Sequence, residues 1–540
     1  MGRLLSLLLR GTHSDLTSFF SLLFLGGFLP AAIVLYTLTP KKWKKYALLV
    51  ISLGFFRLVS GELVVYLLGS ILLTWGFGLW LGKIQREKDA AVKAAPREDR
   101  KALKRKFLLR SRWVLGLAAA AHIGGLLTVK YTGFFLRNVN TLFGLELPIP
   151  GFVMPIGVSF FTLQAVSYLF DVYRGTQEAD GNVLRVGLFL SFFPQIVEGP
   201  ICRYPETAGQ LWNAKGITWR NLTLGLQRIL YGLMKKLVVA DRLNGFVKGV
   251  FTCVDEYQGG VIAIAAVCYT VQLYMDFSGA MDAVAGMGQI FGITMPENFR
   301  RPFFSRTISE FWSRWHITLG TWFKDYIFYP VTMSGPSKKL TSAARKRLGN
   351  HYGPLLAGGV ALFCVWLCNG LWHGAAWSFL FFGMYHFVLI YLGSLAAPLV
   401  KRVNTRLGLK PECLPYRIAQ TLRTCALVVV GELFFRAEGL RAGLRMFRKM
   451  VTDFRFDSIS LSMLKELRID PQDFLIVGVT MAIVFVVSLL NERGIVVREA
   501  LEKKPTALRW AVLYALILYI LIFGAYGKGY VPVNPMYANF

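Results

Sequence analysis

Apolar runs of about 20 residues recur along nearly the whole chain, separated by short polar or basic stretches. Each run is long enough to cross roughly 30 Å of hydrocarbon as a helix. The pattern predicts spans over 16–38, 113–136, 152–172, 221–240, 259–292, 353–371, 376–398, 415–435, 473–490 and 507–526. Residues 46–82 are too long for one crossing, and Arg57, Ser60, Gly61 and Glu62 interrupt them, so they divide into a hairpin of two spans. Two stretches fit badly. Residues 186–201 are apolar but broken by Pro194 and Pro200, and 305–330 are helix-like but charged. Irregular backbone at membrane depth survives only where protein or water satisfies it, which predicts re-entrant or interfacial elements at both. The expectation is an all-α polytopic membrane protein with about eleven transmembrane helices plus these pieces.

Composition agrees with that reading and charge gives it a direction. Of 540 residues, 54% are hydrophobic and only 17% charged, yet the net charge is +30. No basic stretch alternates with aromatics as in a single-strand binder, so nucleic acid is not the expected partner. Lys and Arg instead gather between spans: Lys41–Lys45, twelve of them in 83–112, and the acid-free segments 337–351 and 401–410. The positive-inside rule makes these cytoplasmic loops and puts the N-terminus outside. Residues 353–398 then run out and back, with Trp372–Trp377 at the turn. The first twenty residues are basic and apolar but lack a small-residue cleavage site, and are expected to be retained. Segment 436–468, with Leu440, Leu444 and Phe447 in helical register, reads as an amphipathic surface helix. No internal repeat suggests an inverted-repeat transporter. The seven cysteines form no CxxC pair, and no metal site is expected.

Chemistry then narrows to a few residues. Of six histidines, His13, His122 and His351 lack supporting context, whereas His316, His373 and His386 lie in or beside apolar segments, where ionisable groups are costly. Asn369 is one helical turn before His373 on the same face, placed to fix its tautomer. Gly370 and Gly374 flank it and would let a ligand approach the backbone. A desolvated, neutral histidine suits a general base, although a bond between helices is an ordinary alternative. Around His316, Ile308, Trp312, Trp315, Leu319, Trp322 and Tyr326 follow a helical period as one aromatic stripe. Ser309, Ser313, His316 and Gly320 share the adjoining face. An interfacial helix with a solvated histidine fits equally well. His386 reads as a helix contact. Asp276, Asp282 and Glu198 fall in apolar surroundings, where structural hydrogen bonding is the ordinary reading, and Gly288 and Gly292 form a GxxxG packing face. Cys364 and Cys368 share a face without a base in register. No GxSxG, P-loop, HExxH or GxGxxG motif occurs, which excludes the soluble-type hydrolases, ATPases and dinucleotide enzymes that carry them.

Five blocks in order resemble the membrane-bound O-acyltransferase family, in its bacterial polysaccharide branch. They are Met154–Gln164 with Asp171–Gly175; Phe192–Ile201; Asp276–Gly279 with Pro296–Phe299; Phe311–His316 with Trp322–Tyr326; and Gly370–Trp377, similar to the family's catalytic histidine motif. Phe434–Ala437 also fits the alginate O-acetyltransferase type, and the D-alanyl transfer protein of teichoic acid is a cousin. Lys324 stands where arginine is common, and the basic insert 335–351 lies outside the core pattern. The resemblance implies three parts: N-terminal transmembrane helices over 1–145, a catalytic core over 146–440, and a surface helix with C-terminal spans over 441–540. It implies that His373 is the catalytic histidine and His316 the second functional one, with Asn369, Trp372, Trp315, Asp276, Glu198 and Asn298 supporting the site or lining the substrate path.

It also implies a reaction. An acyl group, expected to be acetyl, passes from a cytoplasmic thioester towards hydroxyls of an extracytoplasmic polysaccharide, with or without a secreted or membrane-anchored acetyltransferase partner. The donor is acetyl-coenzyme A, or alternatively an acyl or aminoacyl carrier protein; no cofactor is bound. A thioester is already activated, so the main need is a base for the acceptor hydroxyl, and an apolar cavity to keep water away. The alternatives are D-alanyl transfer to teichoic acid and, in another class, a transporter or channel using His373, His316 and Asp276 as a polar path.

Overall fold

The computed structural model describes residues 15–457, 459–526, 530 and 532–533. The reading of the first fourteen residues, and His13 with it, lies outside the described residues. Among the described residues the chain is helical, with a single isolated β-bridge between Phe299 and Trp315. It forms two compact units: the described residues of Met1–Arg228 with Ala283–Pro296, and those of Ile229–Asp282 with Glu297–Val533.

In the first unit, α1 (Phe24–Leu38) is followed by α2 (Lys44–Ser60), α3 (Val64–Ala94), α4 (Arg100–Phe143) and α5 (Val158–Arg174). The break foreseen within 46–82 falls at Gly61, whose φ of +59° a side-chain-bearing residue rarely adopts. The basic stretch 83–112 is not a loop. α3 and α4 extend through most of it, because Lys, Arg, Glu and Ala are strong helix formers, and only the segment around Pro96 interrupts them. Residues 186–201 leave the helix at Phe192, make one short helical turn over Phe193–Ile196, run irregularly from Val197, and are buried throughout, as irregular backbone at membrane depth must be. They hold Glu198. Gly157 serves this segment: at φ +71° it lies so close to the Ile196 carbonyl that a Cβ would overlap it.

The second unit contains α6 from Ile229 (within Trp219–Met234), α7 (Asp241–Thr252) and α8 to Asp282 (within Gly259–Ile290). After these come α9 (Ile308–Arg314), α10 (Ile317–Phe323), α11 (Gly335–His373), α12 (Trp377–Arg406), α13 (Leu414–Arg436), α14 (Leu440–Thr452), α15 (Pro471–Glu492) and α16 (Thr506–Phe523). Segment 337–351 is also helical rather than a loop. Ser334 caps it, and a kink at Gly349 (φ +77°) folds Gly353 back against the Arg345 backbone. Gly288 and Gly292 do not form an interhelical face. Gly292 ends its helix at φ +76°, and Gly288 packs on the returning chain at Ile293 and Met295. The close approach on α8 is instead at Gly279, beneath the Gly232 carbonyl of α6.

Across the described residues, eight helical stretches are long and apolar enough to cross a membrane, with Phe24–Leu38 as a shorter apolar helix. α14 buries Ala442, Gly443 and Met446 and leaves Leu444, Phe447 and Val451 exposed beside Arg441, Arg445 and Arg448. The apolar stripe read from sequence is therefore its outward face.

Candidate active site

The His316 and His373 positions both lie at breaks between helices, and the breaks have different origins. At the first, residues 298–300 run back along 314–317: Arg300 N–H donates to the Arg314 carbonyl at 2.9 Å, and Ile317 N–H to the Asn298 carbonyl at 3.0 Å. This pairing pulls Trp315 into extended backbone and leaves His316 at φ +47°. A continuous helix over 305–330 is thus replaced by α9 and α10. The aromatic stripe survives only in pieces, and Ser309, Ser313 and Gly320 are exposed whereas His316 is buried.

A left-handed non-glycine residue costs roughly 1–3 kcal/mol and persists only where its surroundings hold it. Asn298, itself 1% exposed, holds this one. Its Oδ1 accepts from Thr318 N–H at 3.1 Å and Thr318 Oγ1 at 2.9 Å, and lies 3.2 Å from His316 Nδ1. The backbone N–H is an unambiguous donor, so the amide atom facing it is the oxygen, and His316 Nδ1 must carry the hydrogen. In the neutral ring Nε2 then holds the lone pair. Neutrality is favoured because burial pushes the imidazole down to about 3. Phe277 meets the ring edge-on at 4.9 Å. Trp315 stacks on Phe311 and meets Phe299 edge-on at 5.0 Å.

His373 is the last residue of α11, and the chain turns at Gly374 into α12. Here packing sets the geometry. Phe435 of α13 lies edge-on to the ring at 5.0 Å and Phe382 of α12 at 5.9 Å. Asn369 is buried one turn below, but its Oδ1 has no hydrogen-bond partner, so it does not fix the His373 tautomer. Trp372 is buried beside it. Gly370 and Gly374 do not face open space for a ligand: a Cβ on either would strike the Phe379 carbonyl or ring. With Gly383, which lies against the Trp366 carbonyl, they let α11 and α12 approach backbone to backbone.

His386 is fully buried and acts as a helix contact, as read from sequence. Its Nδ1 accepts from Trp312 Nε1 at 3.2 Å, Trp366 and Phe382 flank it, and Gly431 of α13 leaves room for its ring. Trp312 also meets Phe382, at 5.9 Å. Rings therefore run without interruption from Phe277 at His316, through Phe299, Trp315, Phe311 and Trp312, to Phe382 at His373.

Asp276 and Asp282 engage lysines that the sequence reading passed over. Lys236 Nζ is 2.7 Å from Asp276 and 3.1 Å from Asp241, and also donates to the Val533 carbonyl; Lys235 reaches Asp282 at 2.7 Å. Residues 235–240 are π-helical, and that wider turn brings Lys236 into line with Asp241, five residues on. Two adjacent lysines inside an apolar run were the available signal. Of the site residues expected from sequence, Glu198 belongs to the first unit and the others to the second.

The sequence model of the membrane-bound O-acyltransferase family matches residues 180–345, a stretch that includes His316 and ends before His373. The chain is 30% identical over 457 residues to the probable alginate O-acetylase of Pseudomonas putida, covering 84% of each protein. It is 29% identical to the peptidoglycan O-acetyltransferase of Helicobacter pylori, over 82% of this chain and 80% of that one. A more partial likeness, 28% over 44% of this chain and 58% of the other, links it to the teichoic acid D-alanyltransferase of Bacillus subtilis. These matches overtake the transporter alternative: the chain belongs to the membrane-bound O-acyltransferase family and is a multi-pass membrane O-acyltransferase.

Proposed function

We propose that the protein moves an acetyl group from a cytoplasmic thioester, acetyl-coenzyme A, towards hydroxyls of an extracytoplasmic polysaccharide, with His373 as general base. The observation that carries this reading is the similarity to the alginate O-acetylase along 84% of both chains. The catalytic core falls within 146–440, with the basic stretches 83–112, 337–351 and 401–410 on the donor side, where they attract an anionic donor. His373 takes the hydroxyl proton, the oxygen attacks the thioester carbonyl, the carbon–sulfur bond breaks, and the thiolate leaves with the proton. His316, neutral and held by Asn298, offers Nε2 as an acceptor. It orients a hydroxyl and does not polarise a carbonyl. The rings between the two histidines exclude water that would hydrolyse the thioester.

Two variants of this reading each have an observation behind them. The Asn298-imposed tautomer favours His316 as the base in place of His373. The teichoic acid relative favours D-alanine from a carrier protein as the cargo. Membranes containing the protein, supplied with labelled acetyl-coenzyme A or with labelled D-alanyl carrier protein, decide the cargo by which label reaches polysaccharide. His373→Ala, purified and shown to be folded, decides the base: near wild-type transfer would end the assignment of His373.

A further inference from the structure

A cavity of about 300 Å³ lies in the first unit where α3, α4 and α5 meet, among residues to which the proposed reaction gives no role. Leu63, Tyr66, Gly69 and Ser70 of α3 and its preceding turn line it, with His122 of α4 and Thr162 of α5. Its size is at the lower end of small-ligand pockets. Two glycines shape it. A Cβ on Gly69 would meet nothing within 4 Å, so this position opens on the void. A Cβ on Gly125 would come within 2.6 Å of the Tyr66 hydroxyl, so its absence lets the Tyr66 side chain reach α4.

The rim shows what fills the cavity. Val65, Leu73 and Ala121 line its edge and are exposed, on two helices apolar and long enough to span a membrane. The opening therefore faces hydrocarbon. His122 is already satisfied, with Nε2 at 2.8 Å from Thr74 Oγ1 and Nδ1 at 3.2 Å from the Ala118 carbonyl. Ser70 Oγ is buried in the wall, out of an occupant's reach. The occupant must therefore bring apolar bulk. We infer that this cavity binds one acyl chain of a membrane phospholipid, entered sideways from the bilayer. Along α3 the lining runs from Glu62 to Leu73, about 16 Å at 1.5 Å per residue, which accommodates most of a fatty-acyl chain.

The test uses purified protein in vesicles of phosphatidylethanolamine and phosphatidylglycerol, with a trace of phosphatidylethanolamine carrying a photoreactive diazirine in one acyl chain. Crosslinks mapped by mass spectrometry are expected to concentrate on 62–73 and 121–125. Gly69→Phe, which fills the void, is expected to lower that labelling at least about tenfold, Gly69→Ala to preserve it, and both to keep acyl transfer. Ala121→Phe closes the opening from α4 and serves if Gly69→Phe does not fold. Labelling spread evenly over the apolar helices, or unchanged in a folded variant with the void filled, overturns the inference.

Discussion

The two histidine turns place a buried imidazole by opposite means. At His316 the ring is held by hydrogen bonds: one asparagine oxygen gathers the ring nitrogen and both donors of Thr318, while the backbone pairing of 298–300 with 314–317 imposes the left-handed residue. At His373 Phe382 and Phe435 box the ring, and the glycines behind it let two helices close. A hydrogen-bonded ring has a defined tautomer, and a ring boxed by aromatic neighbours has a defined position. In the proposed reaction the first is the hydroxyl-orienting group and the second the proton-transferring one.

The largest expected effect follows from removing the proton acceptor. On this division of labour His373→Ala lowers acyl transfer by about 10²–10⁴-fold, the usual worth of a general base, with thioester affinity little changed. If His316→Ala costs as much and His373→Ala costs less than tenfold, the roles are reversed. Next comes the pair of asparagines, which separates the two turns most directly. Asn298→Ala removes the acceptor shared by His316 and Thr318, a loss of about 1–3 kcal/mol or roughly 5–150-fold in turnover. Asn369→Leu removes a buried oxygen that bonds nothing, so turnover stays within about fivefold and thermal stability does not fall. Equal losses at the two would break the comparison. A third test addresses packing. Gly383→Ala puts a methyl against the Trp366 carbonyl and forces α11 from α12, costing about 1–3 kcal/mol in thermal unfolding. Turnover should fall with it through His373, while His316 chemistry, read as hydroxyl-substrate affinity, stays near wild type.

What the sequence made legible follows the same line. Apolar runs located the long helices, and the interruption at Ser60–Glu62 located a break, because both are local properties. The split at Trp315–His316 was not legible: α9 and α10 together carry a good helical period, and only pairing with a distant segment breaks it. The basic segments were recognised by charge but misread as loops, although their Lys, Arg and Ala content favours helix. Asn369 and His373 were correctly put near one another along α11. Periodicity specifies a shared face, however, and no more than that; it does not supply a bond. Gly370 and Gly374 are expected from sequence to face a ligand, and what they face is Phe379, on the helix that returns within ten residues. Lys235 and Lys236 were visible as charges in an apolar run, but their partners on α8 become adjacent only in the fold.

The smallest effect is a pH dependence that belongs to one turn only. His316 is held neutral by burial, down to about 3 from the ordinary 6.5. Between those values the unfolded chain binds a proton that the folded one refuses, so stability rises with pH there. The contribution is fully present above about 6.5 and is lost as pH falls towards 3. From pH 7 to 5.5 the linkage amounts to about 1 kcal/mol, since each unit of displaced titration is worth about 1.4 kcal/mol. His316→Gln keeps a donor for Asn298 and removes the titrating ring. Thermal unfolding of wild type should therefore weaken on acidification more than that of His316→Gln. A wild-type curve parallel to that of His316→Gln would mean the ring takes up its proton in place. Asn298 would then hold a charged donor, and the orienting role assigned to its Nε2 lone pair would fall.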